Sequence, residues 1–160
     1  MTAGSARGFT LIELMMTVAL VGLLSTMVLP LTELTVQRSR EQELRAALRE
    51  IRMGLDEYKK AVDDKRIIAK AGDSGYPESL ELLVEGVDDA ASAETSRRIR
   101  FLRRIPRDPM ATDEHQSAAE TWGLRSYKSD ADSPSSGDDV YDVYSLSDKT
   151  GLNGVPYAQW

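Results

Sequence analysis

The chain has 160 residues, a formal net charge of −6 and no cysteine. Without cysteine there are no disulfides, thiolate metal sites or cysteine nucleophiles. The acidic balance argues against wholesale binding of nucleic acid.

Residues 9–31 form an apolar run with a single charged side chain, Glu13. As an α-helix the run is about 35 Å long, and the hydrocarbon core of a membrane is about 30 Å thick. A carboxylate in that core costs about 2.5–3.5 kcal/mol on insertion scales, so Glu13 needs a cationic partner, which the run does not contain. Arg7, just before the run, favours a cytoplasmic N-terminus.

Two simple interpretations of the run are available. A secretory signal peptide has an apolar core of roughly 7–15 residues followed by a small-residue cleavage site. Here the core is longer, and the sequence after it, LPLTELTVQRSREQ, has no such site. A plain single-pass anchor explains the length of the run but gives no reason for Glu13.

The residues at the start of the run favour a third interpretation. They are Gly8, Phe9, Thr10, Leu11 and Glu13, preceded by Arg7. This pattern resembles the type IV pilin and pseudopilin family. The resemblance implies that residues 1–8 are a leader, that a prepilin peptidase cuts between Gly8 and Phe9, and that Phe9 is N-methylated. The cut leaves a cationic amine on Phe9, which in a filament lies beside Glu13 of a neighbouring subunit, so that each charge neutralises the other.

Pro30 lies near the end of the apolar run. The family's N-terminal helices commonly carry a proline near this depth. In a helix, Pro30 cannot donate to the carbonyl of Thr26, and its ring crowds that carbonyl. The position predicts a helix kink or a locally meltable segment.

The helix is predicted to continue well beyond Pro30. Apolar residues recur at spacings of three and four, typical of one helical face that packs on a core. They are Leu44, Leu48, Ile51, Leu55, Tyr58 and Val62. A free coiled coil is the alternative, which Gly54 weakens.

The sequence of residues 71–96 predicts a turn, a short helix and a loop. Residues 71–76 read as a turn, after which Pro77 opens a short helix at a first-turn position and Gly86 ends it. Residues 87–96 read as a solvated loop.

Six arginines follow in what we call the basic segment, Arg97–Arg107. This segment is interpreted as a basic face that pairs with acidic neighbours or with another subunit. Binding of phosphate or lipid headgroups is the alternative.

Two β-like runs are predicted at Trp122–Tyr127 and Val140–Leu146. The tail after them is rich in turn residues. Its apolar members are predicted to pack back onto the domain; they are Leu152, Val155, Tyr157 and Trp160.

The stretches GYPESLELLV, IPRDP and WGLRSY resemble, less sharply, the major pseudopilin of type II secretion. The resemblance implies an α+β fold, in which a long N-terminal helix with a membrane half and an amphipathic half packs on a small antiparallel sheet. Residues 9–31 would be the transmembrane and filament-core helix, and residues 32–160 the periplasmic globular domain.

The implied function is that of a pseudopilin subunit in the inner membrane that assembles into a periplasmic filament for protein export. A type IV pilus or competence pilin, used in adhesion, motility or DNA uptake, is the alternative. The implied partners are copies of itself, other pseudopilins, the prepilin peptidase, and an inner-membrane assembly platform with its ATPase. No catalysis and no required cofactor are expected, and nucleic acid is not an expected partner.

The family resemblance also implies a calcium site in the C-terminal loop. This tail departs from the family's loop, so no ligand is carried over. Calcium takes about six to eight oxygen ligands, and the first candidates are Asp138, Asp139, Asp142 and Asp148. A solvated acidic surface is the favoured alternative.

GDSG at residues 72–75 resembles a serine-protease nucleophile loop. A Ser-His-Asp triad needs a histidine base, and the one histidine, His115, lies in a polar stretch. A turn of small polar residues is therefore the favoured interpretation of Ser74.

Overall fold

The computed structural model describes residues 8–70, 72–92 and 97–160, and for residues 26–31 it describes the backbone alone. Helix α1 spans Leu11–Asp63. The chain divides into two compact units, one that ends at Ser39 and one that comprises Arg40–Trp160. In the helices as described, no stretch is both long and apolar enough to cross a membrane.

The predictions for the leader and for Pro30 rest on parts that the structure does not describe. Residues 1–7 of the predicted leader are not described. Pro30 lies within α1, but its side chain is not described, so the kink stays a prediction.

The second half of α1 buries the predicted apolar stripe. Five of its members are buried, and Val62 is half-buried against them. The five are Leu44, Leu48, Ile51, Leu55 and Tyr58. The prediction of a core-facing helix is confirmed.

Helix α1 ends in a left-handed turn at Lys65, whose φ is 59°. The backbone N–H of Arg66 donates to the carbonyl of Ala61 at 2.9 Å, and the N–H of Lys65 donates to the carbonyl of Val62 at 2.9 Å. This pair of bonds is the Schellman motif, which satisfies the last carbonyls of a helix.

The short helix α2 spans Glu81–Glu85 and ends at Gly86, as predicted. The prediction that Pro77 opens this helix is wrong. Pro77 is buried four residues before it, and its carbonyl accepts a hydrogen bond from the backbone N–H of Val140 at 2.8 Å. This long-range bond fixes Pro77 outside the helix.

The loop predicted at residues 87–96 is partly wrong. Val87–Asp88 forms strand β1, which pairs antiparallel with strand β2, Arg98–Ile99. Half-buried Val87 packs against the core, which explains why the chain pairs here. Residues 93–96 lie outside the described part.

The two predicted β-like runs form an antiparallel pair. Strand β3 spans Trp122–Arg125 and strand β4 spans Asp142–Ser145, with Trp122 opposite Ser145. Both strands are shorter than predicted, but the pairing is confirmed.

One hydrophobic core joins these elements. It contains the α1 stripe together with side chains from the α2 region, both strands of the second pair and the tail. These additional members include Leu80, Leu83, Trp122, Val143 and Tyr157. The α+β fold with a long helix on small antiparallel sheets is therefore confirmed, although the sheet is two separate two-stranded pairs.

The tail packs back as predicted, with one exception. Tyr157 is buried, and Val155 and Trp160 are half-buried. The prediction is wrong for Leu152, which is 42% exposed. Its backbone is bonded instead, to Glu41.

Candidate processing and assembly site

The predicted cleavage point lies in an exposed, non-helical segment. Residues 8–10 precede the first turn of α1. Phe9 is 80% exposed, and a Cβ added to Gly8 would meet nothing within 4 Å. The Gly8–Phe9 bond therefore lies in an accessible segment outside the helix.

Thr10 caps the N-terminus of α1. Its hydroxyl accepts a hydrogen bond from the backbone N–H of Glu13 at 3.3 Å, and its carbonyl accepts one from Leu14 at 3.1 Å. This is the N-cap arrangement, which satisfies a donor that would otherwise lack a partner. The role of Thr10 was not predicted, although Thr-x-x-Glu is the spacing of a capping box.

Glu13 is exposed in the first turn of α1. A negative charge there is favourable, because the helix dipole places partial positive charge at the N-terminus. Glu13 therefore stabilises the start of its own helix and at the same time presents a carboxylate outward.

The apolar side chains around Glu13 are exposed on every face of the helix. The exposed large members are Leu11, Ile12, Leu14, Met15, Met16, Val18, Leu20, Val21, Leu23 and Leu24. Glu13 is the one charged side chain among residues 9–25.

The basic segment is largely exposed. Arg98 lies 3.4 Å from the Asp88 carboxylate, and Arg107 donates to the backbone carbonyls of Gln116 and Asp113. Arg103 and Arg104 are exposed and line shallow grooves beside α1. Part of the segment thus pairs within the chain, as predicted, and part presents cations outward.

The four candidate calcium ligands do not converge. Asp142 accepts a hydrogen bond from Arg52 at 2.7 Å, and Asp139 accepts one from the backbone N–H of Tyr127 at 2.8 Å. Asp138 and Asp148 are exposed. Across residues 8–70, 72–92 and 97–160, no three His, Asp or Glu side chains are grouped so as to hold a metal ion.

Ser74 and His115 lie in separate polar turns. The hydroxyl of Ser74 accepts a hydrogen bond from the backbone N–H of Tyr76 at 3.3 Å. The backbone N–H of His115 donates to Asp113 at 2.9 Å. Both contacts are ordinary turn bonds.

Two buried carboxylates were missed by the sequence analysis. Asp108 is 2% exposed and accepts hydrogen bonds from the Ser145 hydroxyl at 2.6 Å and the Met110 N–H at 2.7 Å. Glu41 is 6% exposed and contacts the tail. In the sequence, Glu41 is a charged residue next to the apolar stripe, and Asp108 lies between two prolines. Neither pattern indicates that the carboxylate is buried or which residue it bonds.

Residues 4–29 match the family model of the prokaryotic N-terminal methylation motif. The chain is also similar to the type II secretion system core protein G of Klebsiella pneumoniae, with 28% identity over 110 residues, which cover 67% of this chain and 71% of that protein. No solved structure matches the chain. The matched motif contains Gly8, Phe9, Thr10 and Glu13, the residues that form the exposed bond and the first turn of α1.

Proposed function

We propose that this chain, a member of the type IV pilin and pseudopilin family, is a pseudopilin subunit of a type II secretion system. The observation that carries the proposal is the N-terminal motif at residues 4–29, with its exposed Gly8–Phe9 bond and capped first turn. Similarity to a core protein G supports the assignment to secretion.

A prepilin peptidase cuts this chain after Gly8 and methylates the new amine of Phe9. The accessible, non-helical segment at residues 8–10 supports the cut. Methylation keeps the positive charge of the amine, so the charge remains available for pairing.

Residues 9–31 then anchor the subunit in the inner membrane, with residues 32–160 in the periplasm. The apolar composition of the run and its basic neighbour Arg7 support this orientation. The assembly platform and its ATPase extract the subunit into a filament of its own copies and other pseudopilins. The filament acts mechanically, and the chain itself catalyses no reaction.

The Phe9 amine of one subunit pairs with Glu13 of its neighbour in the filament. Each charge alone is costly in an apolar environment, and the pair is tolerated because the charges neutralise each other. Pairing also fixes the register, because a shift along the bundle would leave both charges unpaired.

The processing step is tested by intact mass and N-terminal sequencing of membrane-extracted protein from a host with a prepilin peptidase. The expected mature chain begins at methylated Phe9. Gly8→Val blocks the cut, whereas Gly22→Ala, at a helical glycine that also has nothing within 4 Å of an added Cβ, leaves it intact. A wild-type chain that still begins at Met1, or begins after Leu31, refutes the proposal.

The assembly step is tested by sedimentation of sheared filaments from cells that overproduce the subunit. Glu13→Gln is expected to abolish sedimentable filaments, although the peptidase still cuts after Gly8 and Phe9 still becomes the N-terminal residue. Glu33→Gln, which removes an exposed acid of the same helix, is the matched control and retains them. Filaments formed by the Glu13→Gln subunit at the wild-type level contradict the pairing.

A competence pilin is the second candidate, favoured by the exposed Arg103 and Arg104. Binding to phosphates makes affinity fall steeply with salt. Salt-dependent DNA binding by the full chain, lost in Arg103→Ala/Arg104→Ala, supports this candidate. Loss of protein export in a deletion strain, restored by the same double variant, supports the secretion subunit.

A further inference from the structure

Residues 146–160, which we call the C-terminal segment, turn back on themselves. Thr150 and Pro156 form a β-bridge, and the N–H of Tyr157 donates to the carbonyl of Lys149 at 3.1 Å. Inside this turn the N–H of Gly151 donates to the carbonyl of Val155 at 2.9 Å. These bonds close the segment on itself, but they do not attach it to the helix.

The attachment to α1 is made by Glu41. One carboxylate oxygen, Oε1, accepts hydrogen bonds from the N–H of Leu152 at 2.7 Å and from the hydroxyl of Tyr157 at 3.0 Å. Both Glu41 and Tyr157 are buried. A buried carboxylate is stable only when donors replace water, and hydrogen bonds to an ionised group are about twice as strong as neutral ones. The position of Glu41 is therefore energetically tied to that of the segment.

Two arginines of α1 add contacts at the end of the segment. The guanidinium carbon of Arg45 lies 4.3 Å from the centre of the Trp160 ring, and Arg52 donates to the carbonyl of Trp160 at 2.8 Å. Glu41, Arg45 and Arg52 are spaced by four and seven residues, so they lie on one side of the helix. One helix face thus holds the whole segment by charged side chains.

The family resemblance implies a calcium ion in this loop, and the oxygen donors present do not fit one. The segment has a single acid, Asp148. The amide oxygen of Asn153 accepts a hydrogen bond from the N–H of Val155 at 3.1 Å. Of the nearby acids, Asp142 is paired with Arg52 and Asp139 with the N–H of Tyr127. Asp138 and Asp148 are exposed, and among the described residues no three acids or histidines are grouped so as to hold a metal ion. Calcium needs about six to eight oxygens, which these side chains do not bring together.

We propose that this chain closes its C-terminal segment with the Glu41 carboxylate, so that the closed loop needs no calcium. The inference goes beyond the proposed function, and it holds whether or not the chain assembles into a filament.

The test is limited trypsin digestion of the full chain in detergent micelles. Cleavage after Lys149, an exposed residue within the segment, releases a peptide that begins at Thr150, which mass spectrometry quantifies. Cleavage after Lys128, exposed in another loop, is the internal reference. In the wild type the ratio of the two rates is expected to be the same in EDTA and in excess calcium.

Variants of Glu41 test whether its carboxylate is what protects the C-terminal segment from trypsin. Glu41→Ala removes the acceptor for both bonds, and the relative cleavage after Lys149 is expected to rise by about tenfold or more. Glu41→Gln keeps an acceptor oxygen but gives neutral, weaker hydrogen bonds, so its cleavage rate is expected to lie between those of the wild type and Glu41→Ala. Glu50→Ala, at an exposed acid of the same helix, is the matched control and has no effect.

Tyr157→Phe keeps the test decisive if Glu41→Ala does not fold. It removes one of the two donors and is expected to raise the rate a few-fold, again equally in EDTA and in calcium. The proposal is overturned if calcium slows cleavage after Lys149 in the wild type. It is also overturned if Tyr157→Phe is cleaved at the wild-type rate, whether or not Glu41→Ala folds.

Discussion

Replacing Asp108 with alanine should destabilise the globular unit strongly. The Asp108 carboxylate joins the end of the basic segment to strand β4 through the Ser145 hydroxyl at 2.6 Å. It also accepts the N–H of Met110 at 2.7 Å. Alanine leaves both donors without this acceptor. An unsatisfied buried group costs about 1–3 kcal/mol, and Met110 is only half-buried, so the expected loss for the two together is about 2–5 kcal/mol.

The loss is measured by thermal unfolding of the full chain in detergent micelles, followed by near-UV circular dichroism and tryptophan fluorescence. Trp122 is a suitable reporter, because its indole N–H donates to the carbonyl of Pro106 at 2.8 Å, two residues before Asp108. For a unit of this size, the expected loss lowers Tm by about 6–20 °C.

Two further variants test the reasoning. Asp108→Asn retains an acceptor for Met110, and the Ser145 hydroxyl can turn to accept from the new amide, so the loss should fall to about 1 kcal/mol. Asp138→Ala, at an exposed acid, should change stability by less than about 0.5 kcal/mol. If Asp108→Ala unfolds at the same temperature as Asp138→Ala, the buried hydrogen bonds contribute nothing and the reasoning fails.

Three other changes have expected outcomes. Lys65→Gly should stabilise the fold by about 0.5–1 kcal/mol, because glycine adopts a φ of 59° without the cost that a side chain brings; an unchanged or lower Tm contradicts this. Gly86→Ala should destabilise by more than about 1 kcal/mol in the same unfolding assay, because φ is 81° and the added Cβ would lie 2.7 Å from the Ile99 carbonyl oxygen; wild-type stability would show that the turn relaxes. The hydrogen bond from Arg66 lowers the pKa of Asp89. The Arg66–Asp89 pair therefore stabilises the fold fully above the ordinary pKa of the carboxyl, and this stabilisation is lost as pH falls through the lowered pKa. An NMR titration should therefore find the Asp89 carboxyl pKa below its usual range, and Arg66→Gln should return it there.

The parts of the fold that depend on local periodicity were predictable. The apolar residues from Leu44 to Val62 repeat at helical spacing, and such a stripe is expected to be buried whichever element packs against it. The two β-like runs around Trp122 and Val143 also carried a local signal. The N-terminal motif was the most predictable part of the site, because its residues are contiguous.

The parts that depend on contacts distant in sequence were not predictable. Pro77 has the right neighbours for a helix start, but its bond to Val140 decides its place. Glu41 bonds to residues 111 and 116 positions away, and Asp108 to one 37 positions away. No local pattern encodes such a partner, so a single sequence marks these carboxylates as charged and says nothing of their burial.

In the proposed function, the first turn of α1 has two roles that need different atoms. The cap uses the hydroxyl of Thr10 and the backbone N–H of Glu13, while the Glu13 carboxylate remains exposed. As a charge near the helix N-terminus, that carboxylate contributes about 0.3–1 kcal/mol to its own helix. An uncompensated amine in an apolar environment costs several kcal/mol. Because the second quantity is much larger, loss of filaments in Glu13→Gln would reflect the unpaired Phe9 amine of the neighbouring subunit, and a weakened helix start could not account for it.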